Sequence, residues 1–258
     1  MPDLTKLADC SEYQDNIDAG VYIDAGHTCL IVRAHNGHRP DKYWPQRRDY
    51  LRRFPFDAIG FYQYMVESRP AAEQANEMVA TVGPLRANEF VVCDSEEGTG
   101  SQIDRVNAWF AVTDLAYGKP GTLYASESWF ADRLGGSARW SRRPRWMAAY
   151  RSTEPSAPHE LWQYNDHSNL PGISGDGGDG NLFHGSGKDF AKTFAGVTST
   201  SPGPKPPTNT QSLASVVKDN GAIEIFEELP SGEVIHKWQP AANSGPWSNF
   251  QSMGTPGK

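Results

Sequence analysis

Eight short apolar runs constrain the fold of this chain more than any other feature: residues 7–10, 29–34, 58–65, 90–96, 122–126, 146–150, 161–164 and 181–183. Each has the length of a buried strand and is too short for a buried helix. Helix signals lie between the early runs. Residues 71–82 follow Pro70 and stop at Gly83-Pro84, a paired start and stop. Ser101 with Asp104 reads as a capping box that opens a helix with Ile103, Val106 and Phe110 on one face, ending at Gly118 with Pro120 beyond. The late gaps are short and rich in Gly and Pro, which leaves no length for crossover helices. This alternation predicts an α/β fold: a modified (β/α) TIM-like barrel with few helices in its second half. A chain of 258 residues is long enough for such a barrel.

Residues 198–212 are dominated by Pro, Ser and Thr and read as a semi-extended linker. The expected organisation is a barrel over 1–190, a linker over 191–216 and a small all-β module over 217–258. In the module, 221–226 alternates as a strand, Pro230-Ser231-Gly232 turns, 234–239 is a second strand and 247–250 a third.

The net charge of -7, with no basic stripe, argues against nucleic acid as a partner. No apolar stretch reaches membrane-spanning length, so no membrane insertion is expected. The first residues show no basic segment followed by an apolar one, and the expectation is a protein made in the cytoplasm without a signal peptide. Cys10, Cys29 and Cys93 are odd in number and widely spaced, which reads as buried free thiols.

Chemistry in such barrels sits at the C-terminal ends of the strands. Asp9, Arg33, Tyr62, Asp94, Glu96, Tyr124, Gln163 and Asp179 all fall at such positions. Asp94 and Glu96 close the fourth run, and strand alternation points them the same way. Carboxyls held that close suppress each other's ionisation, so one keeps its proton. One acid beside one carboxylate is what cleavage of a glycosidic bond needs.

Other features have simpler readings. His35 and His38 could suggest a metal, but neither carboxylate nor cysteine lies nearby in sequence, and a polar loop is expected instead. Asp176-Gly177-Gly178-Asp179 reads as a tight turn rather than a calcium loop. Trp140, Trp146 and Trp162 read as core or wall. Arg47, Arg48, Arg52 and Arg53 form a basic face that is ordinarily just solvated. No metal or cofactor is expected.

The ordered motifs resemble glycoside hydrolase family 25, the Chalaropsis-type lysozymes common among phage endolysins. Asp9-Cys10-Ser11-Glu12-Tyr13-Gln14 resembles the opening Asp-x-Ser-x-x-Gln, and Gly60-Phe61-Tyr62-Gln63-Tyr64 the third-strand Gly-x-Tyr-His-Phe. Asp94-Ser95-Glu96 matches the Asp-x-Glu strand. Trp146 to Tyr150 and Leu161 to Tyr164 match two later strands. Asp179-Gly180-Asn181-Leu182-Phe183 resembles the closing Asp-x-Asn-x-Phe. The tail of the second strand departs, with Arg33-Ala34-His35-Asn36-Gly37 where the family often has Lys-x-Thr-Glu-Gly, and Gln63 stands where it has His.

The resemblance implies hydrolysis of the β-1,4 bond from N-acetylmuramic acid to N-acetylglucosamine in peptidoglycan. It makes Glu96 the general acid and gives Asp94 the substrate acetamido group. Asp9 and Asp179 become flanking charges, and Arg33, Tyr62, Tyr124 and Gln163 substrate-binding residues. It also implies action at the bacterial wall after release from the cytoplasm. Two alternatives stand beside it: a catalytically silent glycan-binding barrel, and a glycosidase of other bond specificity. The C-terminal module resembles one blade of a tectonin-like or fucose-lectin-like propeller. One blade cannot bury its own faces, so wall binding through a homo-oligomer is expected of it.

Overall fold

The structure is a computed structural model that describes residues 3–175, 177–197, 213–217, 223–228, 234–238 and 251–254. The chain divides into two compact units, Met1–Ser199 and Thr200–Lys258.

The first unit is a closed barrel of eight strands: β1 (Leu4–Cys10), β2 (Cys29–His35), β3 (Ala58–Tyr64), β4 (Glu89–Asp94), β5 (Thr122–Ser126), β6 (Arg145–Ala148), β7 (Leu161–Asn165) and β8 (Asp179–His184). All eight coincide with the apolar runs. The helices between them are α1 (Ala19–Asp24), α2 (Gln46–Leu51), α3 (Ala71–Val82), α4 (Ile103–Tyr117) and α5 (Glu127–Asp132), with a 3-10 turn over Ser137–Trp140. Among the described residues none links β6 to β7 or β7 to β8, as the short gaps predict.

Three details differ from the sequence expectation. First, β8 runs antiparallel to both β1 and β7, whereas a (β/α) repeat would make it parallel. A strand joined without a crossover helix can reverse direction. Asp179 therefore opens β8 rather than ending it, yet lies directly opposite Asp9 in the register, on the same rim as the C-terminal strand ends. Second, α4 starts one residue later than the capping box implies. Its N-cap is Gln102 with no side-chain cap, and the Ser101 hydroxyl only reaches the Ile103 amide at 3.5 Å. Third, α6 (Gly187–Ala195) follows β8, opened by a genuine capping box of Ser186 and Asp189. Its second half, 191–195, falls on residues expected to open the linker, and β9 (Leu213–Val217) takes up the linker's other end.

α6 closes the bottom of the barrel. Gly187 sits against Thr28 and Asp57, beside the starts of β2 and β3. Phe190 and Phe194 stack at 4.3 Å and meet Phe90 and Phe183 from the barrel interior. The floor is thus packed, and the rim carrying the strand C-termini is left for ligands. On the outside, Ala75, Met78, Val106, Trp109 and Phe110 of α3 and α4 are buried against the strands. Cys10, Cys29 and Cys93 are buried, and Cys29 and Cys93 are free thiols.

Gly60 leaves room for the Phe90 ring inside the barrel: a Cβ there would lie 2.6 Å from Phe90 Cζ and 3.0 Å from Ile31 Cγ1. Gly60→Ala is expected to destabilise the fold by about 1–3 kcal/mol through overpacking, read as a lowered chemical-denaturation midpoint. An unchanged midpoint would mean the floor is looser than this packing implies.

The second unit is a four-stranded antiparallel sheet of β9, β10 (Ile223–Glu228), β11 (Val234–Trp238) and β12 (Gln251–Gly254), in the order β12-β11-β10-β9. β10 and β11 fall on the two strands expected first; the expected strand at 247–250 lies outside the described residues.

Candidate active site

The rim of the barrel gathers its acids around a groove of about 630 Å³, lined in part by Asp9, Arg33, Tyr62, Asp94, Glu96 and Asp179. A second pocket of about 370 Å³ shares Glu96 and is walled by Tyr124 and Tyr150. Glu96 thus stands where two adjoining cavities meet, the position a group needs in order to act on a bond that joins two sugars.

Asp94 is the last residue of β4 and is buried; Glu96 lies past the strand end and faces the groove. The two carboxyls interact closely enough to shift each other's titration. Burial, then the charge of Glu96, pushes Asp94 well up, while Arg33 opposes the shift. Glu96 is open to the groove but enclosed by its walls, and that desolvation raises it too.

Asp9 sits across the groove. Its Oδ2 accepts from Gln163 Nε2 at 2.9 Å and from Asn181 Nδ2 at 2.8 Å. The same Gln163 Nε2 donates to Asp179 Oδ2 at 3.0 Å, while Gln163 Oε1 accepts from the Tyr124 hydroxyl at 2.7 Å and the Tyr150 hydroxyl at 3.1 Å. Trp146 Nε1 donates to Asn181 Oδ1 at 2.7 Å. Gln163 is only 1% exposed, and every polar atom of its amide is engaged. It braces the two acids through these bonds, and the neighbouring acids and tyrosines saturate the amide.

Burial, followed by the charge of Asp179, raises Asp9 to about 8, against the lowering hydrogen bonds of Asn181 and Gln163. Asp9 is therefore largely protonated at neutral pH in the free protein. Asp9, Asp94 and Glu96 are all raised on folding, so the folded state holds protons that the unfolded chain releases near pH 4. Their contribution to stability is complete below about pH 4 and, for Asp9, is lost progressively as the pH rises to about 8. Asp9→Asn keeps one carbonyl oxygen for both donors and removes the ionisable group. It is expected to raise stability at pH 7 by on the order of 2–4 kcal/mol and to flatten the fall in melting temperature between pH 4 and 8. Parallel pH profiles for the two proteins would contradict the raised Asp9.

Arg33 reaches the groove with its charge already balanced: Nε donates to Asp41 at 2.9 Å, and Glu12 lies 3.0 Å from the guanidinium. Gln63, in the place of the family's His, is turned away from the groove. Its amide takes Trp109 Nε1 at 2.6 Å and contacts His35 Nδ1 at 3.1 Å behind the barrel. His35 is thereby part of a buried polar cluster, and among the described residues no group of three or more His, Cys, Asp or Glu is placed to hold a metal. Most of the basic face is structural. Arg47 is buried and donates to the Ser11 and Gln14 carbonyls, Arg48 to the Val82 carbonyl, and Arg52 grips the fully buried Glu89 with two nitrogens. Trp140, Trp146 and Trp162 are buried in the wall, as expected.

Sequence reasoning gave Asn181 and Tyr150 no role in the site. Asn181 could have been found by strand alternation, since it shares a face with Asp179 two residues earlier. Tyr150 follows the end of β6 and carried no such signal.

The family model of glycosyl hydrolases family 25 matches residues 8–173, well over half of the chain. The chain belongs to glycosyl hydrolase family 25. This enzyme is a glycoside hydrolase, and its barrel is similar to several solved structures. The bacterial lysozyme from Streptomyces coelicolor is 18% identical with a TM-score of 0.65, over 75% of this chain and 98% of that one. The muramidase from Trichobolus zukalii is 20% identical with a TM-score of 0.64, over 75% and 100%. An endolysin catalytic domain from a bacteriophage of Listeria monocytogenes is 20% identical with a TM-score of 0.63, over 76% and 98%. No curated protein sequence matches the family 25 chain. No helix among its described residues is long and apolar enough to cross a membrane.

Proposed function

We infer that this family 25 enzyme hydrolyses peptidoglycan, cutting the β-1,4 bond between N-acetylmuramic acid and N-acetylglucosamine, with Glu96 as its acid. The observation that carries the reading is the closely interacting Asp94–Glu96 pair, both carboxyls raised, at the junction of two sugar-sized cavities. Inverting glycosidases set their second carboxyl across the sugar from the acid, about 6.5–9.5 Å away, with a water between. Asp94 and Glu96 leave the end of one strand two residues apart and line the same side of the groove, so Asp94 is not placed as a base or nucleophile across the sugar from Glu96. The arrangement favours participation of the substrate's own acetamido group.

In this mechanism Glu96 carries a proton when substrate binds. Glu96 gives it to the glycosidic oxygen as the C1–O bond breaks. The acetamido carbonyl oxygen bonds to C1 and forms an oxazolinium ion, whose N–H is held by the Asp94 carboxylate. Glu96, now ionised, takes a proton from water as the water oxygen attacks C1 and the ring reopens, with retained configuration. Asp179, held by Gln163, stabilises the positive charge that builds at C1, and that growing charge draws Asp9, protonated in the free enzyme, toward its ionised form beside it. Tyr62 and Tyr124 border the sugar on either side of Glu96. The likeness to an endolysin catalytic domain supports action at the bacterial wall after release from the cell that makes the protein.

Release of soluble fragments from purified peptidoglycan separates this from a silent barrel. The enzyme is expected to release them continuously; wall binding without release would favour the silent barrel. The four-stranded sheet of the second unit has the strand count of a propeller blade, which supports a wall-binding module that assembles from several chains. Light scattering of the full chain giving a monomer would end that assembly reading.

A further inference from the structure

A second cavity of about 450 Å³ lies on the other side of the Ser11–Gln14 turn, and the groove acids do not enter it. Two cations meet there over one ring: Lys42 Nζ is 5.0 Å and the Arg47 guanidinium 4.9 Å from the centroid of Tyr43. Neither has a carboxylate within 4 Å among the described residues. Arg47 is 7% exposed and bonds only to carbonyls, those of Ser11 and Gln14. The nearby Asp41 already accepts from Arg33 Nε and from the Glu12 and Tyr43 amides. A buried cation with no ion partner beside a second cation is an arrangement that an anion would stabilise.

Asp15 and Asp18 line the same cavity. Their loop is held in place. Ile17 bridges to Ile173, the Asp18 amide donates to the Gly172 carbonyl at 2.7 Å, and the Ser174 hydroxyl donates to Asp15 at 2.5 Å. That hydroxyl bond is the largest of the influences holding Asp15 below the usual carboxylate range. The cavity therefore presents a braced acidic wall, whose Asp15 already feels the charge of Lys42, and a cationic one with no carboxylate in contact, with tyrosine rings between. A small zwitterion, carboxylate on one side and ammonium on the other, satisfies both.

We propose that this cavity binds the free α-amino carboxylate carried by a peptidoglycan peptide stem, so that stem-bearing glycan is preferred over bare glycan. The proposal rests on the peptidoglycan reading above. The stem leaves the sugar from its lactyl group, and Ser11 to Gln14, which line the groove, are the same residues whose carbonyls Arg47 holds from the cavity side.

The test is calorimetric titration of the full chain with L-alanyl-γ-D-glutamyl-meso-diaminopimelate, beside hydrolysis of stem-bearing and peptide-free glycan strands. Lys42 is exposed, so Lys42→Glu and Lys42→Ala leave the core alone. Peptide binding is expected to weaken at least about tenfold in Lys42→Glu, less in Lys42→Ala, and at least about tenfold when the peptide's carboxylates are amidated. KM for stem-bearing glycan should rise about tenfold in Lys42→Glu with kcat unchanged, and both constants on peptide-free strands should stay as in the wild type. No binding of the peptide at millimolar concentration, or equal binding by Lys42→Glu, would overturn the site. Peptide binding by a protein that cuts no glycan would leave the site standing and remove the enzymatic reading instead.

Discussion

Glu96→Gln is expected to lower kcat by roughly 10³-fold while KM changes little, because removing a positioned general acid typically costs 10²–10⁴ in rate. Gln is the right probe. It keeps the size of the side chain and can still donate to Asp94, but it cannot give up a proton to the leaving oxygen. The side chain reaches into the groove instead of the packed floor, so the melting temperature should be nearly that of the wild type. Activity within tenfold of wild type would mean that another group protonates the leaving sugar.

The second large effect is expected at Asp94. Asp94→Asn should lower kcat by on the order of 10²- to 10³-fold, since an amide cannot hold the acetamido N–H as a carboxylate does. Two further readouts separate this role from a structural one. In the wild type, Asp94 lowers Glu96 against the rise that burial imposes. Without it, Glu96 should keep its proton to higher pH, and the alkaline limb of the kcat profile should move to higher pH. Stability should rise. Asp94 is a buried acid whose Oδ1 has no hydrogen-bond partner, and its folded pKa is raised, so its stabilising contribution is lost as the pH rises. The amide removes that penalty, and the variant should melt higher at pH 7 while turning over slowly, the signature of a residue kept for function. A variant that loses activity and stability together would make Asp94 a structural residue.

The eight strands were legible because barrel strands covered by helices on one side and filled on the other read as continuous apolar runs. The acids were legible because they stop those runs at the rim. Less visible was anything that depends on direction or on partners. Nothing in 179–184 says that β8 runs backwards; only its pairing with β1 brings Asp179 opposite Asp9. Gln163 looked like a rim residue, but its amide is spent on Asp9, Asp179 and two tyrosines, partners that only the closed barrel brings to it. The protonated state of Asp9 follows from burial and from the neighbouring Asp179, neither of which a linear sequence carries. α6 escaped notice because its apolar face is short: Phe190, Ala191, Phe194 and Ala195 are the residues it buries, beneath a barrel floor that the sequence does not reveal.

The most direct test of the central claim is mass spectrometry of the fragments released from purified peptidoglycan by the wild type and by Glu96→Gln. Fragments ending in reducing N-acetylmuramic acid, released by the wild type and absent from the variant, are the predicted result. Reducing N-acetylglucosamine ends, or the same fragments from both proteins, would contradict it.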